Sequence, residues 1–169
     1  MKGLALRTEP LLLATNPVQE HIKFSVVVKP PQAYGFKGRG EGKPGLQDLL
    51  WRIYFKQWMA DREAGITPKV VIIFAKRLTH LLEIHLYLRK LTGEVNAASA
   101  PFCMVHSDLT ACTEKAILEN VAKGRYSVIL ATTRFMVGID TKRADLVIFL
   151  SPFDELAALV QGGGRGGRR

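Results

Sequence analysis

Cysteine is almost missing from this chain: Cys103 and Cys112 are the only two in 169 residues. Two thiols are too few for a disulfide scaffold or a four-ligand zinc site, and a reducing compartment is the default expectation. Their spacing from His80 and His106 matches no zinc pattern. Cys103 lies inside an apolar run and reads as a small core residue. Long hydrophobic runs are missing as well. None approaches the ~20 residues of a membrane-spanning helix, so no membrane partner is expected. Between Met1 and Pro17 the apolar patches are broken by Arg7, Glu9 and Pro10, which leaves no signal-peptide core. Acidic residues are scarce beside basic ones: 15 Asp and Glu against 24 Lys and Arg give a net charge of +9. That imbalance favours a polyanionic partner, most simply nucleic acid. No internal repeat is visible. Apolar content of 47% with 23% charged residues excludes wholesale disorder, and the length fits one ordinary domain.

What is present is a series of short, continuous apolar runs: Phe24–Val28, Val70–Ala75, Phe102–Val105, Ser127–Ala131 and Leu146–Leu150. Continuous rather than alternating hydrophobicity predicts strands covered on both faces, as in a parallel sheet. Helical spacing fills the intervals. Leu46, Leu49, Leu50, Ile53, Tyr54 and Trp58 share one predicted face. The denser set Leu81, Leu82, Ile84, Leu86, Tyr87 and Leu88 predicts a well buried helix. Thr113–Val121 opens on an N-cap residue and stops at Gly124, and Phe153–Val160 predicts a short last helix. Strands alternating with helices predict an open α/β sheet, mainly parallel, with helices on both faces.

Several tempting sites dissolve on inspection. Gly35–Gly45 is rich in Gly and Lys, but Gly38-Arg39-Gly40-Glu41-Gly42-Lys43 is one residue short of a phosphate-binding loop. Pro44 stands where Ser or Thr must hold magnesium, so a flexible solvated loop is expected at 35–45. Asp154-Glu155 precedes a helix rather than following a buried strand, and reads as a charge pair at a helix N-terminus.

The strong signal lies in the C-terminal third. Ala131-Thr132, then Gly138-Ile139-Asp140, resembles motif V of superfamily 2 helicases. Gln161-Gly162-Gly163-Gly164-Arg165-Gly166-Gly167-Arg168 resembles their motif VI. Both occur in order, each after an apolar strand. Phe135 in motif V and Gln161 opening motif VI make the chain most similar to the RecQ-like helicases. Val71–Phe74 is similar to motif IV, His106-Ser107-Asp108-Leu109 to a family turn, and Asn16–Phe24 to the lead-in to the second motor lobe. Departures include Met136-Val137 for the family's Gly-Met and Lys76-Arg77 for its Arg-Ser.

The resemblance implies a RecA-like three-layer α/β domain: residues 1–21 as the end of a first lobe and lead-in, and 22–169 as the helicase C-terminal lobe. It implies ATP with Mg2+ held mostly by a first lobe, in cis or trans. Arg168 and Arg165 would be catalytic, with Gly138, Asp140, Gln161, Arg165 and Arg168 near the nucleotide. Lys76, His106, Ser107, Thr132 and Arg134 would grip a DNA strand, single-stranded or forked. No protein metal site is expected. The sequence holds no Walker A, DExH or T-A-T motif, so these residues alone are expected to be inactive as an ATPase, and 3′-to-5′ unwinding is only an implication of the family. A nuclear location follows if the source is eukaryotic, otherwise a cytoplasmic one. The alternative reading is a non-catalytic, helicase-derived nucleic-acid-binding module, whose Gly162–Arg169 end is an Arg-Gly-rich tail.

Overall fold

The computed structural model of the chain describes residues 45–94, 96, 98–136 and 144–150. Four parallel strands form one sheet: β1 (Val71–Ala75), β2 (Phe102–Val105), β3 (Val128–Thr132) and β4 (Leu146–Phe149), in the order β2-β3-β1-β4. Ile73 lies opposite Leu130 on one side and Ile148 on the other, and Cys103 lies opposite Ile129. These are four of the five apolar runs, each within a residue of its expected bounds. The fifth, Phe24–Val28, lies outside the described residues, as do Phe153–Val160, Asp154-Glu155 and all of the 35–45 loop except Gly45.

Apart from Thr132 at the end of β3, the strands are apolar because both faces are covered. Val71, Ile73, Ala75, Val128 and Leu130 point to one side and meet Leu50, Phe55, Trp58, Leu81, Ile84 and Leu88. Ile72, Phe74, Cys103, Val105, Ile129 and Ala131 point to the other and meet Val121 and Tyr126. Cys103 is a buried core residue as expected, and burial pushes its thiol pKa far up, so it is no nucleophile.

The first helical stretch is interrupted. α1 (Leu46–Leu50) passes into a π-helical turn at Trp51–Phe55 and then into α2 (Lys56–Glu63). The Lys56 N–H donates to the Trp51 carbonyl, five residues back instead of four. One extra residue in the turn rotates everything after it by about 100°. The regular spacing put Ile53 on the buried face. Ile53 is instead 41% exposed, and Phe55 takes its place at 0%. Gly45 is buried at the start of α1, where its N–H donates to the Asp48 carboxylate at 2.8 Å. α2 ends in a Schellman closure on Gly65, φ +68°, with Ile66 N–H bonded to the Asp61 carbonyl.

α3 (Leu78–Thr92) is less buried than its leucine density predicted. Leu81, Ile84 and Leu88 face the core, but Leu82 and Leu86 are 41% and 62% exposed. A helix lying on a sheet buries only one stripe, so leucines beyond that stripe face solvent. α4 (Ala111–Ala122) starts two residues before Thr113. Its N-cap is Thr110, whose hydroxyl accepts from the Thr113 N–H, because the chain is still extended at Thr110. Its end is the Gly124 closure expected from sequence, φ +73°.

At the N-terminal ends of the strands a polar network ties helix to sheet. The Trp58 Nε1–H donates to Ser127 Oγ at 2.9 Å, Ser127 Oγ–H donates to the Pro101 carbonyl, and the Tyr54 hydroxyl donates to the Lys69 carbonyl. This end is closed by packing and leaves the opposite end of the sheet for function.

His85 supplies a prediction. It packs edge-on against Phe102, with a buried Nδ1 that has no hydrogen-bond partner among the described residues. Burial first, then Arg89, lowers its pKa below the ordinary 6.5. A lowered folded-state value means that the unfolded chain takes up the proton first. The resulting stability is present above the unfolded value and declines as pH falls through about 6.5. Thermal unfolding of the native chain and of His85→Gln, compared from pH 7.5 to 5.5, should show a smaller acid-induced loss in the variant. Equal losses would show that His85 is not the titrating group.

Candidate nucleic-acid interface

In an open parallel sheet, ligands are met at the carboxyl ends of the strands, where loops leave the core and helix N-termini point outward. Three neighbouring strands end here with polar residues. β2 ends in His106-Ser107, β3 in Thr132 followed by Thr133-Arg134, and β1, between β3 and β4, in Lys76-Arg77. In register, Ala75 pairs with Thr132, and Val105 with Ala131. The three ends therefore sit side by side across about 10 Å, two strand spacings. All the strand-gripping candidates within the described residues, Lys76, His106, Ser107, Thr132 and Arg134, belong to this one edge. The candidates for the nucleotide, Gly138, Asp140, Gln161, Arg165 and Arg168, lie outside the described residues.

Each side chain is placed by local chemistry. At the β2 end a turn forms, with the Leu109 N–H donating to the His106 carbonyl at 3.3 Å. His106 Nδ1 accepts from the Asp108 backbone N–H at 3.3 Å, so the neutral ring carries its proton on Nε2. Ser107 is exposed, and its Oγ–H donates to the Asp108 carboxylate at 3.3 Å. Arg134 is exposed on a 3-10 turn, Thr133–Met136, that continues β3, while Phe135 from the same turn packs into the core. That inward ring anchors the turn and directs Arg134 outward.

Lys76 and Arg77 are both exposed. Arg77 was not singled out from sequence, yet it occupies the N-cap of α3 with no side-chain cap. A cation there opposes the positive end of the helix dipole, and an N-cap without Ser, Thr, Asp or Asn forgoes about 1 kcal/mol. The basic pair directly after a buried strand was the legible signal.

Thr132 differs from its neighbours. By strand alternation it shares the face of Val128 and Leu130, and its Oγ1 is buried with no hydrogen-bond partner among the described residues. An unsatisfied buried hydroxyl costs about 1–3 kcal/mol. Thr132→Val should therefore raise the melting temperature, by the order of 1 kcal/mol of stability, read by thermal unfolding at neutral pH. A lower melting temperature would show that the hydroxyl is satisfied in solution.

The comparisons with known proteins agree with this architecture. The helicase conserved C-terminal domain family matches residues 59–169, and the chain belongs to that family. No curated protein matches it. Among solved structures, the Hef helicase domain of Pyrococcus furiosus superposes with a TM-score of 0.51 at 22% identity, over 75% of this chain and 24% of that one. Domain 2 of the DEAD-box helicase Mss116p, bound to an RNA duplex, gives 0.55 at 18%, over 68% and 42%. The DUF1998 helicase MrfA, bound to DNA, gives 0.52 at 19%, over 60% and 14%. At these identities the likeness concerns the fold: a RecA-like helicase C-terminal domain, with a parallel sheet flanked by helices. The chain spans about a quarter of the Hef helicase domain and under half of the Mss116p structure.

Proposed function

We propose that this chain is the second motor lobe of an ATP-dependent, RecQ-like superfamily 2 DNA helicase, working with a RecA-like first lobe in cis or trans. The observation that carries the reading is the convergence of Lys76, His106, Ser107 and Arg134 on three adjacent strand ends, in a chain of the helicase C-terminal family. Exposed cations and hydroxyl donors in a row suit the phosphates of a strand and carry no base-reading geometry, as a translocating motor requires. Thr132 joins them only if its hydroxyl turns out of the core, and Arg77 is an added member. ATP with Mg2+ is the fuel, with Gly138, Asp140 and Gln161 near the nucleotide and Arg165 and Arg168 as the cations that reach it. DNA, single-stranded or forked, is the track; unwinding runs 3′ to 5′. A eukaryotic source would place it in the nucleus, any other in the cytoplasm.

Fluorescence titration of single-stranded oligonucleotides at several salt concentrations tests the interface. Affinity should be independent of sequence and fall steeply with salt through counterion release. Lys76→Gln with Arg134→Gln should reduce the salt slope by about 1.4, at about 0.7 for each phosphate no longer neutralised. Salt-independent affinity, or an unchanged slope in the double variant, would remove these residues from the interface.

A further inference from the structure

The end of β2 differs from its neighbours in charge. β1 runs out into Lys76-Arg77 and β3 into Thr133-Arg134, whereas β2 runs out into His106-Ser107-Asp108. Among residues 76–77, 106–110 and 133–136, which continue the three strands, Asp108 is the single acid against three Lys and Arg. Nothing in the function above makes use of it.

Asp108 is exposed, and the turn that carries it is folded on itself. Its backbone N–H donates to His106 Nδ1, and the Leu109 N–H donates to the His106 carbonyl, both at 3.3 Å. Its carboxylate accepts from the Ser107 Oγ–H, also at 3.3 Å. Two ordinary roles for an acid at this place are filled otherwise or absent. A carboxylate just before a helix can cap it, but Thr110 already holds the N-cap of α4, with its hydroxyl accepting from the Thr113 N–H. A surface carboxylate can pair with a cation, but among the described residues the carboxylate of Asp108 has Ser107 as its partner and no ion pair.

Its position brings it to the strand-binding edge. Val105 lies opposite Ala131, so the loops after β2 and β3 leave the sheet one strand spacing apart, about 5 Å. Ser107 has one proton to give, and in the strand-free protein Asp108 receives it. A phosphate only accepts, so a phosphate at Ser107 must take that hydrogen bond from the carboxylate and then lie beside a like charge.

We propose that Asp108 is a counterweight on the strand-binding edge: its carboxylate repels the phosphates that Lys76, Arg77 and Arg134 attract, and competes with them for the Ser107 hydroxyl. The inference rests on the function proposed above. A motor that steps along a strand must release every phosphate it grips. An unpaired like charge placed beside the cations weakens the grip and leaves the cations where they are. It also sets a boundary, with phosphates favoured over the ends of β1 and β3 and opposed at the end of β2.

Fluorescence titration of a labelled single-stranded DNA oligonucleotide with the full chain tests this through Asp108→Asn. Asparagine keeps the backbone N–H to His106 and an acceptor for Ser107, and removes only the charge. At about 0.01 M salt the variant should bind about threefold more tightly than the native chain, the size expected of one repulsion at about 6 Å in water. The gain should fall below about twofold at about 0.15 M, as the screening length drops from about 30 Å to about 8 Å. Glu63→Gln changes net charge equally, from the end of α2 at the opposite end of the sheet, and should alter affinity by less than about 1.5-fold. Unchanged or weaker binding by Asp108→Asn, beside a native chain that binds, would overturn the counterweight and leave the motor-lobe reading standing. An equal gain in Glu63→Gln, or a gain that does not shrink with salt, would overturn it as well. If neither the native chain nor Asp108→Asn binds DNA, both readings fall together.

Discussion

Arg168→Ala, in a protein that joins this lobe to a superfamily 2 first lobe, should lower kcat by at least about two orders of magnitude, with KM changed far less. Arg168 lies outside the described residues, and the role proposed for it rests on the resemblance of Gln161–Arg168 to motif VI. The physical reasoning concerns where the cation is attached. A first lobe provides most ground-state interactions with the phosphates. A guanidinium carried on the second lobe reaches the transferred phosphoryl group only when the cleft closes, so it acts on the transition state more than on binding. Arginine fingers in phosphoryl transfer contribute about 10³–10⁵ in rate, and imperfect closure of a joined pair accounts for the lower figure expected here. Arg168→Lys should recover little, because an ammonium lacks the planar two-pronged fork. Strand binding without nucleotide should hardly change. Steady-state ATPase kinetics with oligonucleotide titration on the same variants decide the matter. A large rise in KM at constant kcat would make Arg168 a uniform binding group. Loss of strand affinity alone would favour an Arg-Gly-rich binding tail.

Phe55→Ala should destabilise the fold by about 3–5 kcal/mol, the range for emptying a buried phenyl site. Phe55 is fully buried, edge-on to Tyr54 and Trp58 and 5.9 Å from Tyr87 between ring centres, so its loss opens a cavity between the α1–α2 stretch and α3. Ile53→Ala should cost less than about 1 kcal/mol, as expected of a surface change. Chemical denaturation of the two variants measures the difference. Regular α-helical spacing orders them the other way, with Ile53 facing the core. A larger loss at Ile53 than at Phe55 would therefore show that the π-turn is absent in solution. Against a typical domain stability of about 5–15 kcal/mol, the Phe55 change leaves a marginal fold, so low temperature is the right starting condition.

The sequence by itself determined the parts of this protein that rest on local pattern. Val71–Ala75, Phe102–Val105, Val128–Ala131 and Leu146–Phe149 were legible as strand segments, because a strand covered on both faces is apolar along its covered length. Gly124 was legible as a helix stop, because its left-handed conformation suits a residue without a side chain. The polar residues at the ends of β1, β2 and β3 were legible as candidates through the resemblance to helicase motifs. Only the tertiary structure decided that β1 lies between β3 and β4, so that Lys76, Arg134 and His106 share an edge. Strand order depends on which crossover packs over which face, and no single segment contains that information. It also decided that Phe55 and not Ile53 is buried, since one extra residue in a π-turn changes the phase without changing the composition. It decided as well that the Thr132 hydroxyl points into the core. Alternation assigns Thr132 to the face of Leu130, but whether that face is still covered at the end of the strand depends on what packs over it, and here the covered side buries a hydroxyl with no partner among the described residues.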